Sequence, residues 1–218
     1  MSGTCVIVGM GPGVSLALAE RFGSAGYAIG MVARQEGALL AAETRLGVEG
    51  ITAKGAPADA GDEAELRGAI TAIEDALGPI EVLIYNAAAL HGGLPSKLSA
   101  DEAVADFRVN VVGALVAAQA VAPAMIAAGR GTILFTGGGF ALQPSPQFAS
   151  LGIGKAGIRS LAFTLAAELG PKGVRVGTVT ICDLVKKGTP FSPAAIADAF
   201  YALHEQGVEE PVEVMFRG

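Results

Sequence analysis

Seven short apolar runs, each divided from the next by a longer stretch of helical spacing, constrain this chain more than any other feature. The runs are TCVIVG (4–9), AIGMVA (28–33), GITAKG (50–55), IEVLIY (80–85), GTILFT (131–136), VRVGTVTI (174–181) and VEVMF (212–216). Helical patterns fill 14–25, 36–47, 62–77, 99–128, 152–170 and 193–206. Several close on a glycine (Gly26, Gly47, Gly78, Gly129 or Gly170), the residue a helix C-terminus favours. Runs such as VLIY are apolar throughout instead of alternating, which suits strands covered on both faces. Strand and helix in strict alternation imply right-handed crossovers and a parallel sheet between helical layers. The expected fold is α/β: a doubly wound, Rossmann-type three-layer sandwich on a seven-stranded, mostly or wholly parallel sheet.

With 218 residues, 51% of them hydrophobic and 17% charged, the chain can build one substantial core, and a single domain over 1–218 is expected. Acidic residues outnumber basic ones 21 to 15, for a net charge of −6, and no basic cluster faces a phosphate backbone, so nucleic acid is not an expected partner. Cys5 and Cys182 have no Cys or His neighbours at zinc-ligand spacing. No metal is expected, and a reducing, cytoplasmic location fits. The N-terminus lacks the basic region and cleavage site of a secretory signal. Residues 109–129 carry no charge, but Asn110, Gln119 and Pro123 interrupt a run of alanine and valine, which reads as a buried helix and not a membrane span.

The stretch CVIVGMGPGVSLALAERF reads as strand, glycine turn and helix. Gly9, Gly11 and Gly13 let the backbone turn tightly and approach a pyrophosphate, and Pro12 and Val14 open a helix whose free amides and dipole favour that charge. Placed after the first strand, this is the arrangement of a dinucleotide site; a plain tight turn is the alternative. At the end of the second strand, where an acidic side chain would hold a ribose 2′-hydroxyl, stand Ala33 and Arg34. No carboxylate repels a 2′-phosphate there, and Arg34 can pair with one bidentately. NADP(H) is therefore the expected coenzyme, with NAD(H) the alternative if Arg34 is only a solvated residue before Glu36.

The pattern Gly9-x-x-x-Gly13-x-Ser15 resembles the Gly-x-x-x-Gly-x-Gly loop of the short-chain dehydrogenase/reductase family, with Ser15 replacing the third glycine. That replacement implies weakened but not abolished binding. YNAAA (85–89) resembles the family's Asn-Asn-Ala-Gly, which places Asn86 and Ala87 at the coenzyme. Asp59 resembles its adenine-contacting aspartate, Asn110 its active-site asparagine, and Lys155 its catalytic lysine, with register held from residue 4 to about 181. The resemblance implies an oxidoreductase acting on a small-molecule substrate. It also implies a homodimer or homotetramer associated through helices 99–128 and 152–170.

In that family a serine positions the substrate oxygen, a tyrosine four residues before the lysine exchanges the proton, and the lysine lowers the tyrosine pKa and holds the nicotinamide ribose. The tyrosine position here is Leu151 and the serine position is Gly138. Some enoyl reductases of the wider family carry tyrosine seven residues before the lysine, and here that position is Phe148. Acid–base help is typically worth about 10²–10⁴ in rate, so three routes stay open. His91, Thr136 or Lys155 itself supplies the proton; or the substrate is an activated double bond or imine needing little acid; or no reaction occurs and the chain is a dinucleotide-dependent sensor or assembly protein. Tyr85 is read as packing beside the sheet, His204 as a surface residue, and Ser150 as pointing away from the Lys155 face. The substrate pocket is expected between TGGGF (136–140), Asn110, residues 88–95 and a flap at 183–193.

Overall fold

The computed structural model describes residues 3–218. All seven strands form, and they lie in one sheet in the order β3-β2-β1-β4-β5-β6-β7 with every neighbouring pair parallel. In chain order the elements are β1 (Thr4–Val8), α1 (Val14–Ser24), β2 (Ala28–Ala33), α2 (Glu36–Val48), β3 (Ala53–Pro57), α3 (Glu63–Leu77) and β4 (Ile80–Tyr85). Then follow α4 (Ala100–Phe107), a π-helical turn (Arg108–Val112), α5 (Gly113–Ala128), β5 (Gly131–Gly138), α6 (Ala149–Leu169), β6 (Val174–Ile181), α7 (Pro193–His204) and β7 (Glu213–Phe216).

Because successive strand residues point to opposite faces, each strand feeds two cores. Val6, Leu83, Tyr85 and Phe135 pack under α3, α5 and α6, while Ile7, Met31, Ile84 and Leu134 pack under α1, α2 and α7. Both sets are fully buried, which is why the strand sequences are apolar at consecutive positions.

Four differences from the sequence expectation have a cause in the structure. The third strand begins at Ala53, not residue 50, because Gly50 (φ +76°) and Ile51 close α2, with the Ile51 amide bonded to the Leu46 carbonyl at 2.9 Å. Strand β5 runs on to Gly138, two residues further, since Gly137 and Gly138 pair with Thr180 and Ile181. Helix α6 starts at Ala149 instead of 152, which puts Lys155 in its second turn. The stretch expected as one helix over 99–128 is interrupted at Arg108–Val112, where the buried Tyr85 hydroxyl donates to the Val109 carbonyl. Tyr85 thus packs beside the sheet as expected, and it also holds the π turn open. Gly113 follows directly because a side chain there would collide with the Ala60 carbonyl and that same hydroxyl.

The span Ala100–Ala128 is long and apolar enough to cross a membrane by length and composition alone. Its Ala114, Ala117, Val121 and Met125 pack instead into the core under the sheet. His204 is not a surface residue: its side chain is 13% exposed and bridges the Tyr27 hydroxyl and the Thr132 hydroxyl, each at 2.9 Å. Burial pushes its pKa below 6.5.

Candidate active site

The glycine loop leaves β1 at the C-terminal edge of the sheet. Gly9 adopts φ +91°, its amide bonds the Val32 carbonyl at 2.9 Å, and a side chain on it would run into the backbone of Ala87. Glycine is required there on both counts. Gly13 caps α1 with no side-chain hydrogen bond, and the first turn of α1 carries no acid, so its leading amides remain as donors for an anion. The hydroxyl of Ser15 is spent within the loop, accepting from the Gly11 amide at 2.8 Å and donating to the Gly11 carbonyl at 3.0 Å. Pro12 and Gly13 are exposed, and Val14 is half-buried behind them.

From the loop a hydrogen-bond chain crosses three strand ends. The Asn86 amide bonds the Val8 carbonyl at 2.8 Å, and its side-chain nitrogen donates to the Gly9 carbonyl at 3.2 Å. Its side-chain oxygen accepts from the Thr136 hydroxyl at 2.9 Å, and the Thr136 carbonyl accepts from Lys155 Nζ at 2.7 Å. The stem of Lys155 lies along Gly138, where an added Cβ would sit 3.4–3.5 Å from its Cγ, Cδ and Cε. Removal from water lowers the Lys155 pKa from 10.5 to about 8. Leu151 stands one turn before it on α6, and Phe148 at the helix start stacks on Phe140 with ring centres 5.2 Å apart.

A second group of residues holds the loop after β4. Asn110 in the π turn accepts from the Ala89 amide at 2.8 Å and donates to the Ala89 carbonyl at 2.9 Å, so its side chain is fully engaged. One turn earlier, the buried Asp106 accepts from the His91 amide at 2.7 Å and from His91 Nδ1 at 2.8 Å. Burial alone would raise the Asp106 pKa, but hydrogen bonds from Ser150 and His91 outweigh it and hold the carboxyl below its usual value. The Ser150 hydroxyl also reaches the His91 carbonyl at 3.3 Å, away from Lys155 as its helical position requires.

Among the described residues no hydrogen bond joins His91 to Lys155. His91 opens onto a cleft of about 360 Å³ that it shares with Arg34, Asp59, Asp62 and Arg108. The segment expected as a flap is a short connection between β6 and α7, pinned by the Lys186 amide on the Phe191 carbonyl at 3.1 Å and by Phe191 edge-on against Phe216. Asp106 and Arg108 escaped the sequence reading. The available signal was Asp106 four residues before Asn110, the spacing that stacks two side chains on one helix face.

These residues fit a dinucleotide. The uncapped α1 terminus and the glycine at Gly9 suit a pyrophosphate, Arg34 and Asp59 share the cleft at one end, and Lys155 lies at the strand ends on the other. Among the described residues no three His, Cys, Asp or Glu side chains gather as metal ligands.

Comparison with known proteins gives the same assignment. The model of the short chain dehydrogenase family matches residues 3–186. The chain is 29% identical over 208 residues to oxidoreductase asL5 of Sarocladium schorii, covering 94% of this chain and 78% of that one. It is 31% identical over 175 residues to 2-(S)-hydroxypropyl-CoM dehydrogenase 3 of Xanthobacter autotrophicus, covering 79% and 68%. Among solved structures, a metagenomic short-chain oxidoreductase in complex with NADP superposes with a TM-score of 0.88 at 28% identity, over 98% of this chain and 96% of that one. With its wholly parallel seven-stranded sheet, its glycine cradle and its lysine at the strand ends, the chain belongs to the short chain dehydrogenase family.

Proposed function

We propose that this protein is a cytoplasmic, NADP(H)-dependent oxidoreductase that works without the family's serine and tyrosine, acting on a small acceptor such as an activated double bond or imine. The observation that carries the reading is the continuous chain from Gly9 through Asn86 and Thr136 to Lys155. It ties the dinucleotide cradle rigidly to the ammonium group at the far end of the site. The bound nicotinamide would supply or accept the hydride. The solved relative in complex with NADP and Arg34 at the end of β2 support the choice of coenzyme.

Lys155 holds the nicotinamide ribose and is the proton source: a lysine with a pKa near 8 is protonated at neutral pH yet gives up its proton far more readily than one in water. Gly138 leaves space beside Lys155 that a serine would fill. Asn110 and Asp106 are positioning residues that fix the loop from Ala89 to His91. Association as a homodimer uses the apolar face of α4 and α6, where Val104, Phe107, Val112 and Ile153 are exposed around a groove of about 540 Å³.

A second reading, a dinucleotide-binding protein without turnover, is favoured by one observation: both hydroxyl positions are empty of hydroxyls, at Gly138 and Leu151. The two readings separate by titrating NADPH and NADH by fluorescence and then following reduced nicotinamide absorbance with enones, quinones, imines and aldehydes. Consumption of NADPH that is lost in Lys155→Met establishes the enzyme. Tight binding with no consumption across that panel establishes the sensor.

A further inference from the structure

The cleft beneath Arg34 has a second cationic wall. Arg34 reaches it from the end of β2, and Arg108 reaches it from the first residue of the π turn, with Asp59, Asp62, His91 and Asp106 also on its lining. Gly61 lies beside the Arg108 wall, where an added Cβ would meet Val109 Cγ2 at 3.2 Å, Asp59 Oδ1 at 3.3 Å and Arg108 Cβ at 3.9 Å.

The charges on this cleft are divided unevenly. Asp59 Oδ1 accepts from the Gly61 amide at 2.8 Å, and Asp62 Oδ1 caps α3 through the Glu65 amide at 3.0 Å. Asp106 is turned into the protein against His91. Arg34 and Arg108 form no ion pair among the described residues, and both are exposed. Two arginines that face one concavity without an ion-pair partner offer ten guanidinium N–H donors to an anionic ligand, while Asp59 and Asp62 each have one carboxylate oxygen turned to a backbone amide.

We propose that Arg108 is a specificity-determining residue, closing with Arg34 on the 2′-phosphate of NADP(H) from the opposite side of the adenosine. This rests on the NADP(H) reading above. A phosphate dianion accepts charge-assisted hydrogen bonds from both guanidinium groups, whereas the 2′-hydroxyl of NAD(H) gives neither arginine a counter-charge. The clamp of Asp106 on His91 and Asn110 on Ala89 fixes the loop beside Arg108, so the two walls keep their separation.

The test is calorimetry of the full chain with adenosine 2′,5′-bisphosphate and adenosine 5′-monophosphate, alongside fluorescence titration with NADPH and NADH. Arg108→Ala and Arg108→Gln are expected to weaken the bisphosphate and NADPH at least tenfold, to leave the monophosphate and NADH within about twofold, and to flatten the salt dependence of NADPH binding. Arg108 forms no ion pair but also borders the groove assigned above to the dimer contact, so unchanged melting temperature and unchanged size-exclusion elution together show that the variants keep fold and assembly. If the wild type binds NADH as tightly as NADPH, the coenzyme reading fails and this inference falls with it. If the wild type prefers NADPH but Arg108→Ala weakens both coenzymes alike, or neither, Arg108 has no such role and the coenzyme reading stands.

Discussion

Lys155 Nζ lies 2.7 Å from the carbonyl oxygen of Thr136, so its ammonium group is held by backbone, with Leu151 standing one turn before it. Its low pKa follows from burial with no carboxylate to offset it. Lys155→Met is expected to abolish turnover and to weaken NADPH by at least tenfold. It should also change the pH dependence of stability. Between about pH 8 and pH 10.5 the unfolded chain keeps a proton on this lysine that the folded chain has released, so wild-type stability rises with pH across that window relative to Lys155→Met. Urea unfolding of both proteins at several pH values reads the difference directly.

The proposal that this site works without a serine and a tyrosine can be tested by adding both hydroxyls. A Cβ on Gly138 would make ordinary contacts of 3.4–3.5 Å with the Lys155 stem, and Leu151 is one helical turn from that lysine. The double variant Gly138→Ser with Leu151→Tyr is expected to raise aldehyde or ketone reduction with NADPH by about 10² or more over either single variant. No gain in steady-state rate, with coenzyme binding intact, would mean the site no longer presents a carbonyl to this face.

His204 gives an acid limb to the stability curve. Its ring is bonded between Tyr27 and Thr132, and burial keeps its pKa below 6.5. Below pH 6.5 the unfolded chain takes up a proton that the folded chain resists, so stability falls as the pH drops through that value. His204→Leu leaves two hydroxyls without their partner and is expected to lose about 2–3 kcal/mol near neutral pH while removing the acid limb. Denaturant midpoints on both sides of pH 6.5 check both parts.

Gly9→Ala tests the cradle. The position has φ +91° and abuts Ala87, so alanine brings backbone strain and a steric conflict together. A loss of about 2 kcal/mol or more in stability is expected, with NADPH affinity falling by more than tenfold because β1 and the loop after β4 must part. Calorimetric titration of the folded fraction measures the second effect.

Most of the architecture was legible because strands buried on both faces and helices with glycine ends leave plain periodic patterns. VLIY and TCVIVG needed no structure to be recognised as core strands. What was not legible depended on contacts between distant segments. The π turn exists because Tyr85, 24 positions before Val109, takes that residue's carbonyl, and no local pattern in FRVNVVGAL signals it. The partners of His204, at positions 27 and 132, are equally remote. The anchoring of His91 by Asp106, fifteen positions on, is as little visible, since a loop sequence does not state which way its side chains are held.

Helix α4 and its π turn are two-sided. One side holds the loop of Ala89 and His91 through Asp106 and Asn110, while the other exposes Val104, Phe107 and Val112. If the dimer proposed above forms on this face, the helix couples its two sides: a second subunit seated outside would stiffen the loop inside, and an occupied interior would in turn tighten the subunit contact. The apparent dissociation constant for the dinucleotide should therefore fall as protein concentration rises, a reciprocity written into the geometry of one helix.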